Sequence, residues 1–266
     1  MFLIEKTLRS MTEYPLFDTH CHLDFDVFTA NFETQLTRAT DANVKRLLIP
    51  SIGPQNWEAV HRLASTHCQI DWALGYHPYY LTESATKGAH QLVQRYQQFE
   101  YKPLAIGECG LDSMVDTNSK IQQQILQAHI ASANELNLPV VLHCRKSHSD
   151  LLHIIKRNPV KRGGVLHGFS GSYELAMQFV EKGFFIGVGG VITYPRAQKS
   201  RTAITRLPLE YMVLETDSPD MPLYGFQGSP NHPEHLNLIL NTICDLKQIE
   251  RQTIARKIWE NSISLF

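Results

Sequence analysis

His20 and His22 stand one residue apart at the end of an apolar lead-in, Leu16-Phe17-Asp18-Thr19. If that lead-in is a strand, its side chains alternate between two faces, so both imidazoles share one face and Cys21 takes the other. Two imidazoles side by side can grip one metal ion, and imidazole suits zinc, manganese or iron. A His-x-His on a loop would have no such role, and this segment alone does not separate the two readings.

Metal-competent residues recur where later apolar runs end. Gly75-Tyr76-His77-Pro78 follows the third run and Gly107-Glu108-Cys109-Gly110-Leu111-Asp112 the fourth. The fifth ends in His143-Cys144-Arg145-Lys146, the sixth in His167-Gly168-Phe169-Ser170-Gly171-Ser172, and the eighth in Glu215-Thr216-Asp217-Ser218-Pro219. Singly, each has a plain structural reading, such as a core histidine bonded to a carbonyl or a carboxylate capping the next helix. Together they set His20, His22, Glu108, His143, His167 and Asp217, four histidines with a glutamate and an aspartate, on one rim.

The runs that position these residues alternate with helix-like segments along the whole chain. Strands are expected at 16–19, 46–50, 71–75, 103–107, 139–142, 164–166, 184–188 and 211–214. Helices are expected at 31–42, 55–66, 88–100, 121–137, 149–156, 172–182, 198–206, 233–247 and 250–262. Continuous apolar strands alternating with amphipathic helices predict a parallel sheet covered on both faces. Eight such units predict a closed α/β barrel, the (β/α)8 or TIM barrel, whose site sits at the C-terminal ends of its strands. A doubly wound open sheet is the competitor, but no Gly-x-Gly-x-x-Gly opens a helix to support it. No linker or low-complexity tract divides the chain, so residues 1–266 read as one domain.

With 43% hydrophobic residues in 266, the chain can bury a large core. A formal net charge of −1 offers no global basic field, so any phosphate binding has to be local. The five cysteines show no Cys-x-x-Cys spacing and indicate neither a disulfide framework nor a zinc knuckle. Cys21, Cys109 and Cys144 flank candidate ligands and would point the other way on a strand, which favours packing over chemistry. The apolar start at Met1 to Ile4 is interrupted at Glu5 and Lys6, too short for a signal segment, and Met11 offers a second start site. No run approaches the ~18 apolar residues of a membrane span. A cytoplasmic protein is expected, with no membrane association and no obligate protein partner.

Five stretches together carry a family resemblance: Phe17-Asp18-Thr19-His20-Cys21-His22-Leu23-Asp24, Ala105 to Asp112, Leu142-His143-Cys144-Arg145, His167-Gly168-Phe169-Ser170-Gly171, and Leu214-Glu215-Thr216-Asp217-Ser218-Pro219. In this order they resemble the TatD family of metal-dependent hydrolases, among the amidohydrolase-type barrels, from about Phe17 to the end of the chain. The resemblance implies a TIM barrel with two divalent cations and a nuclease or other phosphoesterase activity. Residue by residue, it implies that His20, His22 and Asp217 hold one cation, His143 and His167 hold the other, and Glu108 bridges the pair. Physical chemistry agrees: a carboxylate offers two oxygens to two cations. Two dications against two carboxylates leave a positive site for an anionic phosphoester. Water activated between the cations would attack, with Asp217 taking or relaying its proton, so Glu108 and Asp217 are the expected catalytic groups.

Substrate contacts are expected from His77, Arg145 and Ser170. His77 looks like the family's His-Pro histidine, set to touch phosphate or leaving group; a histidine simply fixed by the turn before Pro78 is the alternative. Arg145 could fork onto phosphate or pair with Asp112. Ser170-Gly171-Ser172 opens a helix, as an anion seat or as a plain N-cap. Asp18 either orients a histidine or pairs locally, and Tyr194 and Arg196 read as a solvated loop.

The chain departs from the family pattern twice. Tyr79 stands where many relatives carry a second histidine, and the loop from Tyr224 to Pro230 lacks the usual basic residues. Phosphate contacts supply most nucleic-acid affinity, so these departures bear on DNA more than on hydrolysis. The expected activity is a metal-dependent deoxyribonuclease acting at strand ends. The alternative is a barrel hydrolase of C–N or ester bonds in a small molecule, against which stands the lack of a strand-end lysine suited to bridging. Four histidines among six ligands lean toward zinc or manganese, and loosely held magnesium is compatible.

Overall fold

A computed structural model describes residues 14–82 and 84–266; the alternative starts at Met1 and Met11 lie outside the described residues. Eight parallel strands follow one another in sequence order around the sheet: β1 (Leu16–Asp18), β2 (Val44–Pro50), β3 (Ile70–Leu74), β4 (Ala105–Asp112), β5 (Val140–Arg145), β6 (Gly164–Leu166), β7 (Phe184–Val188) and β8 (Met212–Leu214). The last strand returns to the first. The Thr19 amide donates to Leu214 O at 2.9 Å, the His22 amide to Ser218 O at 2.7 Å, and the Asp217 amide to His20 O at 2.9 Å. The expected TIM barrel is the observed fold.

The outer layer comprises α1 (Asp26–Thr29), α2 (Phe32–Asp41), α3 (Trp57–Thr66), α4 (Ala85–Ala89), α5 (Leu92–Gln98), α6 (Ser119–Leu136), α7 (His148–Arg157), α8 (Tyr173–Val180), α9 (Gln198–Arg206), α10 (Leu236–Lys247) and α11 (Arg251–Leu265). The helix expected over 88–100 is instead the pair α4 and α5. Gly88 lies against the Tyr76 ring, where an added Cβ would come 2.0 Å from the hydroxyl, and a glycine at that point weakens a continuous helix. The fourth strand also runs further than expected, through Asp112 rather than stopping at Gly107.

Two cores sandwich the sheet. Between barrel and helices lie Leu47, Trp72, Leu142 and Phe179 with many neighbours, Cys21 and Cys109 among them, so those two thiols pack rather than react. Inside the barrel, Phe17, Leu48, Ala73, Ala105, Val141, Val165 and Val213 meet Leu265 and Phe266 from the chain end. These inward residues explain the site above them. Stepping by two along each strand, Val141 leads to His143, Val165 to His167, Val213 to Glu215 and Asp217, and Ala73 to Gly75 and His77. β4 breaks this parity through a register shift between Ile106 and Cys109, which turns Glu108 inward. Gly107, at φ +146°, and Gly110, at φ +155°, permit it: a Cβ on Gly107 would sit 2.6 Å from Val141 O, and one on Gly110 would sit 1.9 Å from His143 O.

His129 on α6 ties the helix layer to the end of β3. Its Nδ1 donates to Ile125 O at 2.7 Å and its Nε2 accepts the Tyr76 amide at 3.0 Å, one residue before His77. Complete burial lowers its pKa from 6.5 to about 4. Between those two values the unfolded chain binds the proton that the folded one refuses, so folding stability falls as pH drops from 6.5 toward 4, by up to about 3 kcal/mol. Replacing His129 with leucine leaves the Tyr76 amide without an acceptor. The variant is expected to lose about 1–3 kcal/mol at neutral pH and to show a shallower acid slope. Urea unfolding at pH 7 and pH 5 measures both effects; a wild-type slope in the variant would refute the assignment.

Candidate metal centre

Glu108 is the hub of the barrel mouth. It is almost fully buried, and its two oxygens face different sets of imidazoles. Oε2 lies 3.0 Å from His20 Nε2 and 3.7 Å from His22 Nε2. Oε1 lies 2.7 Å from His167 Nε2, 3.1 Å from His143 Nδ1 and 3.1 Å from His77 Nε2. Asp217 closes the first set, its Oδ1 being 3.5 Å from His20 Nε2 and 4.0 Å from His22 Nε2. His20 also stacks on His167, with ring centroids 3.9 Å apart, so the two sets share a wall. The donor atoms of His20, His22 and Glu108 all fall within 4.8 Å of one another, as do those of His77, Glu108 and His143, and those of His20, His167 and Glu215. Either of the first two groups could hold a metal ion.

Charge follows from this crowding. Burial works to raise the Glu108 pKa, but His167, His77 and His20 overcome it and hold the carboxyl well below its usual range. Burial, then the Glu108 charge, pushes Asp217 well above its range. Burial, reinforced by His167, lowers His20 to about 4; burial and then His20 carry His22 well below 6.5. Those two rings are therefore neutral, each with a lone pair to offer. His143 differs. Burial opposes its charge, yet hydrogen bonds to Asp112 and Glu108 lift its pKa to about 9, so it must release a proton to serve as a ligand.

The structure brings all six expected ligands to one mouth and sets the expected contact residues around it. A cavity of about 470 Å3 opens from His143, His167 and Asp217 onto Arg145, Lys146, His148 and Ser170. Ser170 is bonded to the Ser200 hydroxyl at 3.3 Å, while Ser172 is the N-cap of α8, its hydroxyl accepting the Leu175 amide at 3.3 Å. Asp18 pairs locally rather than with an imidazole: it accepts the Thr216 amide at 2.9 Å and the Thr216 hydroxyl at 2.6 Å, joining β1 to the end of β8. Arg145 does not pair with Asp112, which is engaged elsewhere.

Two residues go beyond the expected set. Asp112 Oδ2 lies 3.1 Å from His143 Nε2, behind the ring face that meets Glu108. Its signal in the sequence is an Asx turn, Oδ1 accepting the Met114 amide at 2.7 Å, but the partner 31 positions away is visible only in three dimensions. Glu215 lies fully buried beneath the centre and accepts the Gly168 amide. Burial raises its pKa to about 8, which leaves it protonated at neutral pH.

Parallel strands closed into a barrel, with histidines and carboxylates gathered at the strand ends, define a TIM barrel whose C-terminal mouth could hold metal ions. Comparison with known proteins narrows the class. The model of the family described as TatD related DNase matches residues 17–266. The metal-dependent hydrolase YjjV of Escherichia coli K12 is 42% identical over 250 residues, covering 94% of this chain and 96% of that one. YabD of Bacillus subtilis 168, also a metal-dependent hydrolase, is 30% identical over 253 residues, with 94% and 98% covered. The crystal structure of the E. coli TatD homolog YjjV superposes with a TM-score of 0.88 at 40% identity, over 94% of this chain and 97% of that one. The chain belongs to the TatD family of metal-dependent hydrolases. Among the described residues, no helix is long and apolar enough to cross a membrane.

Proposed function

We propose that this hydrolase cleaves phosphodiester bonds at the ends of single-stranded DNA with two divalent cations, zinc or manganese before magnesium. The observation that carries the reading is the division of Glu108, with Oε2 toward His20 and His22 and Oε1 toward His143 and His167. In this reading His20, His22 and Asp217 hold one cation, His143 and His167 the other, and Glu108 spans both. The residues suit cations on their own terms. His20 Nε2 and Glu108 Oε2 are buried without a hydrogen bond, an arrangement that costs free energy unless positive charge lies among them. Cations bound there supply Lewis acidity, lowering the pKa of water and offsetting the charge that grows on a phosphoryl group.

The chain's own groups do the rest. Asp217 lines the cavity and is placed to take a proton from the attacking water. Arg145 and Lys146 line the same cavity and hold the anionic substrate over the centre; the Arg145 guanidinium makes no hydrogen bond or ion pair among the described residues, so its fork is open to phosphate. Ser170 adds a hydroxyl to that wall. Aromatic faces stand beside the metal-binding histidines. Phe25 stacks on His22 at 4.6 Å, and Tyr80 meets Phe25 at 6.5 Å and His77 at 5.6 Å. Bases stack on such faces, at roughly 1–3 kcal/mol each, which supports a nucleic-acid strand over a bare phosphoester.

The reading is tested by supplying zinc or manganese and assaying single-stranded DNA, bis(p-nitrophenyl) phosphate, and a panel of dipeptides and lactones. Chelator-sensitive cleavage of the two phosphodiesters alone is expected. Turnover of a dipeptide or lactone with DNA left intact would move the protein to the C–N and ester hydrolases.

A further inference from the structure

The cavity over the metal centre continues sideways. Val191 and Met221 line it, and the same two residues line a second cavity of about 320 Å3, whose other walls are Tyr194, Arg196, Ala197 and Pro222. The two hollows meet along that shared edge. The first covers histidines and carboxylates; the second lies beyond the ends of β7 and β8. No residue lining the second is acidic or a candidate ligand, and Arg196 supplies its only charge.

A solvated loop is expected of Tyr194 and Arg196, yet Tyr194 is half-buried and its ring is held in place. Its hydroxyl donates to Pro222 O at 2.6 Å, and the Tyr224 ring meets it edge-on at 5.8 Å. The backbone before it is pinned as well. Thr193 Oγ1 donates to Gly190 O at 2.6 Å and accepts the Tyr224 amide at 2.9 Å, while Arg201 Nη1 donates to Ile192 O at 2.6 Å. Above this support the Arg196 guanidinium lies over the Tyr194 ring, 5.2 Å from its centroid. It makes no hydrogen bond or ion pair among the described residues.

A tied ring under a free guanidinium is a flat, cationic platform with an ordered backing. Val191, Ala197, Met221 and Pro222 give it an apolar surround. Such a place favours a planar, uncharged ring whose acceptor atoms can meet guanidinium donors, because both planes of the platform stack. Nucleobases have those properties, and single strands are commonly held by stacking bases on aromatic or guanidinium planes. The neighbouring loop from Tyr224 to Pro230 carries no basic residue, so on this side stacking has to supply grip that phosphate contacts do not.

We propose that the second cavity is a base pocket, taking the nucleobase of the nucleotide whose phosphate lies over the metal centre and stacking it on Arg196 and Tyr194. It is separate from the faces of Phe25 and Tyr80, which follow β1 and β3. The site accordingly selects phosphoesters that carry a base over those that do not. That the occupant is a base rests on the phosphodiesterase reading; the platform and its surround do not.

Calorimetric titration of the zinc-loaded protein tests this by comparing dAMP with 1,2-dideoxyribose 5-phosphate, the same molecule without its base. The wild type is expected to bind dAMP about 10-fold tighter or more, the usual gain for one stacked base. Tyr194→Ala and Arg196→Ala should each erase most of that ratio, while Tyr194→Phe, which keeps the ring, should retain most of it. Arg196 is exposed, so its variant gives an answer even where Tyr194→Ala fails to fold. Equal binding of the two ligands by the wild type, a ratio untouched in Arg196→Ala, or a ratio lost instead in Phe25→Ala would overturn the proposal. Turnover of bis(p-nitrophenyl) phosphate is followed in parallel. A protein that cleaves it without a base ratio keeps the functional reading and loses the pocket. One that cleaves no phosphodiester loses the reading, while a ratio that depends on Arg196 still places a base in the pocket.

Discussion

Replacing Glu108 with glutamine is expected to empty both donor sets and to lower phosphodiester turnover by about three orders of magnitude or more. Removing a single preorganised electrostatic group commonly costs 10²- to 10³-fold, and Glu108 serves two sites at once. Glutamine keeps the shape, but its amide nitrogen carries two hydrogens and has no lone pair for a cation. Oε1 alone faces three imidazole nitrogens within 3.1 Å, so both donor sets lose their anion in the neutral amide, and whichever way it turns one of them also meets its NH2 group. The fold should survive. With the carboxylate gone, the surrounding histidines can remain neutral, and the metal-free variant should melt no lower than the metal-free wild type. Metal content by mass spectrometry, thermal melting with and without chelator, and turnover separate the outcomes. A folded Glu108→Gln protein that keeps both cations and full activity would leave the hub assignment without support.

The barrel was legible because strands buried on both faces must be apolar along their length, and here eight such runs alternate with helices. The clustering of the six candidate residues was legible because each lies within a few residues of a run's end, and the end of a parallel strand in a barrel has only one mouth to face. Less was readable where an effect depends on position between elements. Nothing local says that the ladder slips between Ile106 and Cys109, although Gly107 and Gly110 bracketing Glu108 and Cys109 were a signal that β4 bends there. Asp112 stood in a quoted motif, but its bond to His143 spans two strands and had no trace in spacing. Asp18 was open between two roles, and its bonds to Thr216 decide for the local one.

Asp217 provides the sharpest separation of chemistry from scaffolding. Its backbone is left-handed, at φ +56°, and is held there by its own amide donating to His20 O at 2.9 Å. Asparagine tolerates that conformation about as well as aspartate, whereas alanine does so at a cost of about 1–2 kcal/mol. Asp217→Asn therefore removes the carboxylate while leaving the loop in place. The lost charge faces His20 and His22, at 3.5 and 4.0 Å, not the pair His143 and His167. The variant should thus keep the cation held by His143 and His167, bind the other more weakly, and lose turnover by about 10²- to 10⁴-fold, the range for a positioned proton acceptor. Asp217→Ala should lose the same activity and some stability besides. Calorimetric titration with zinc, urea unfolding and steady-state kinetics on both variants distinguish the contributions. Equal loss of both cations in Asp217→Asn would mean that the aspartate holds the whole centre together, and wild-type turnover would remove it from the reaction altogether.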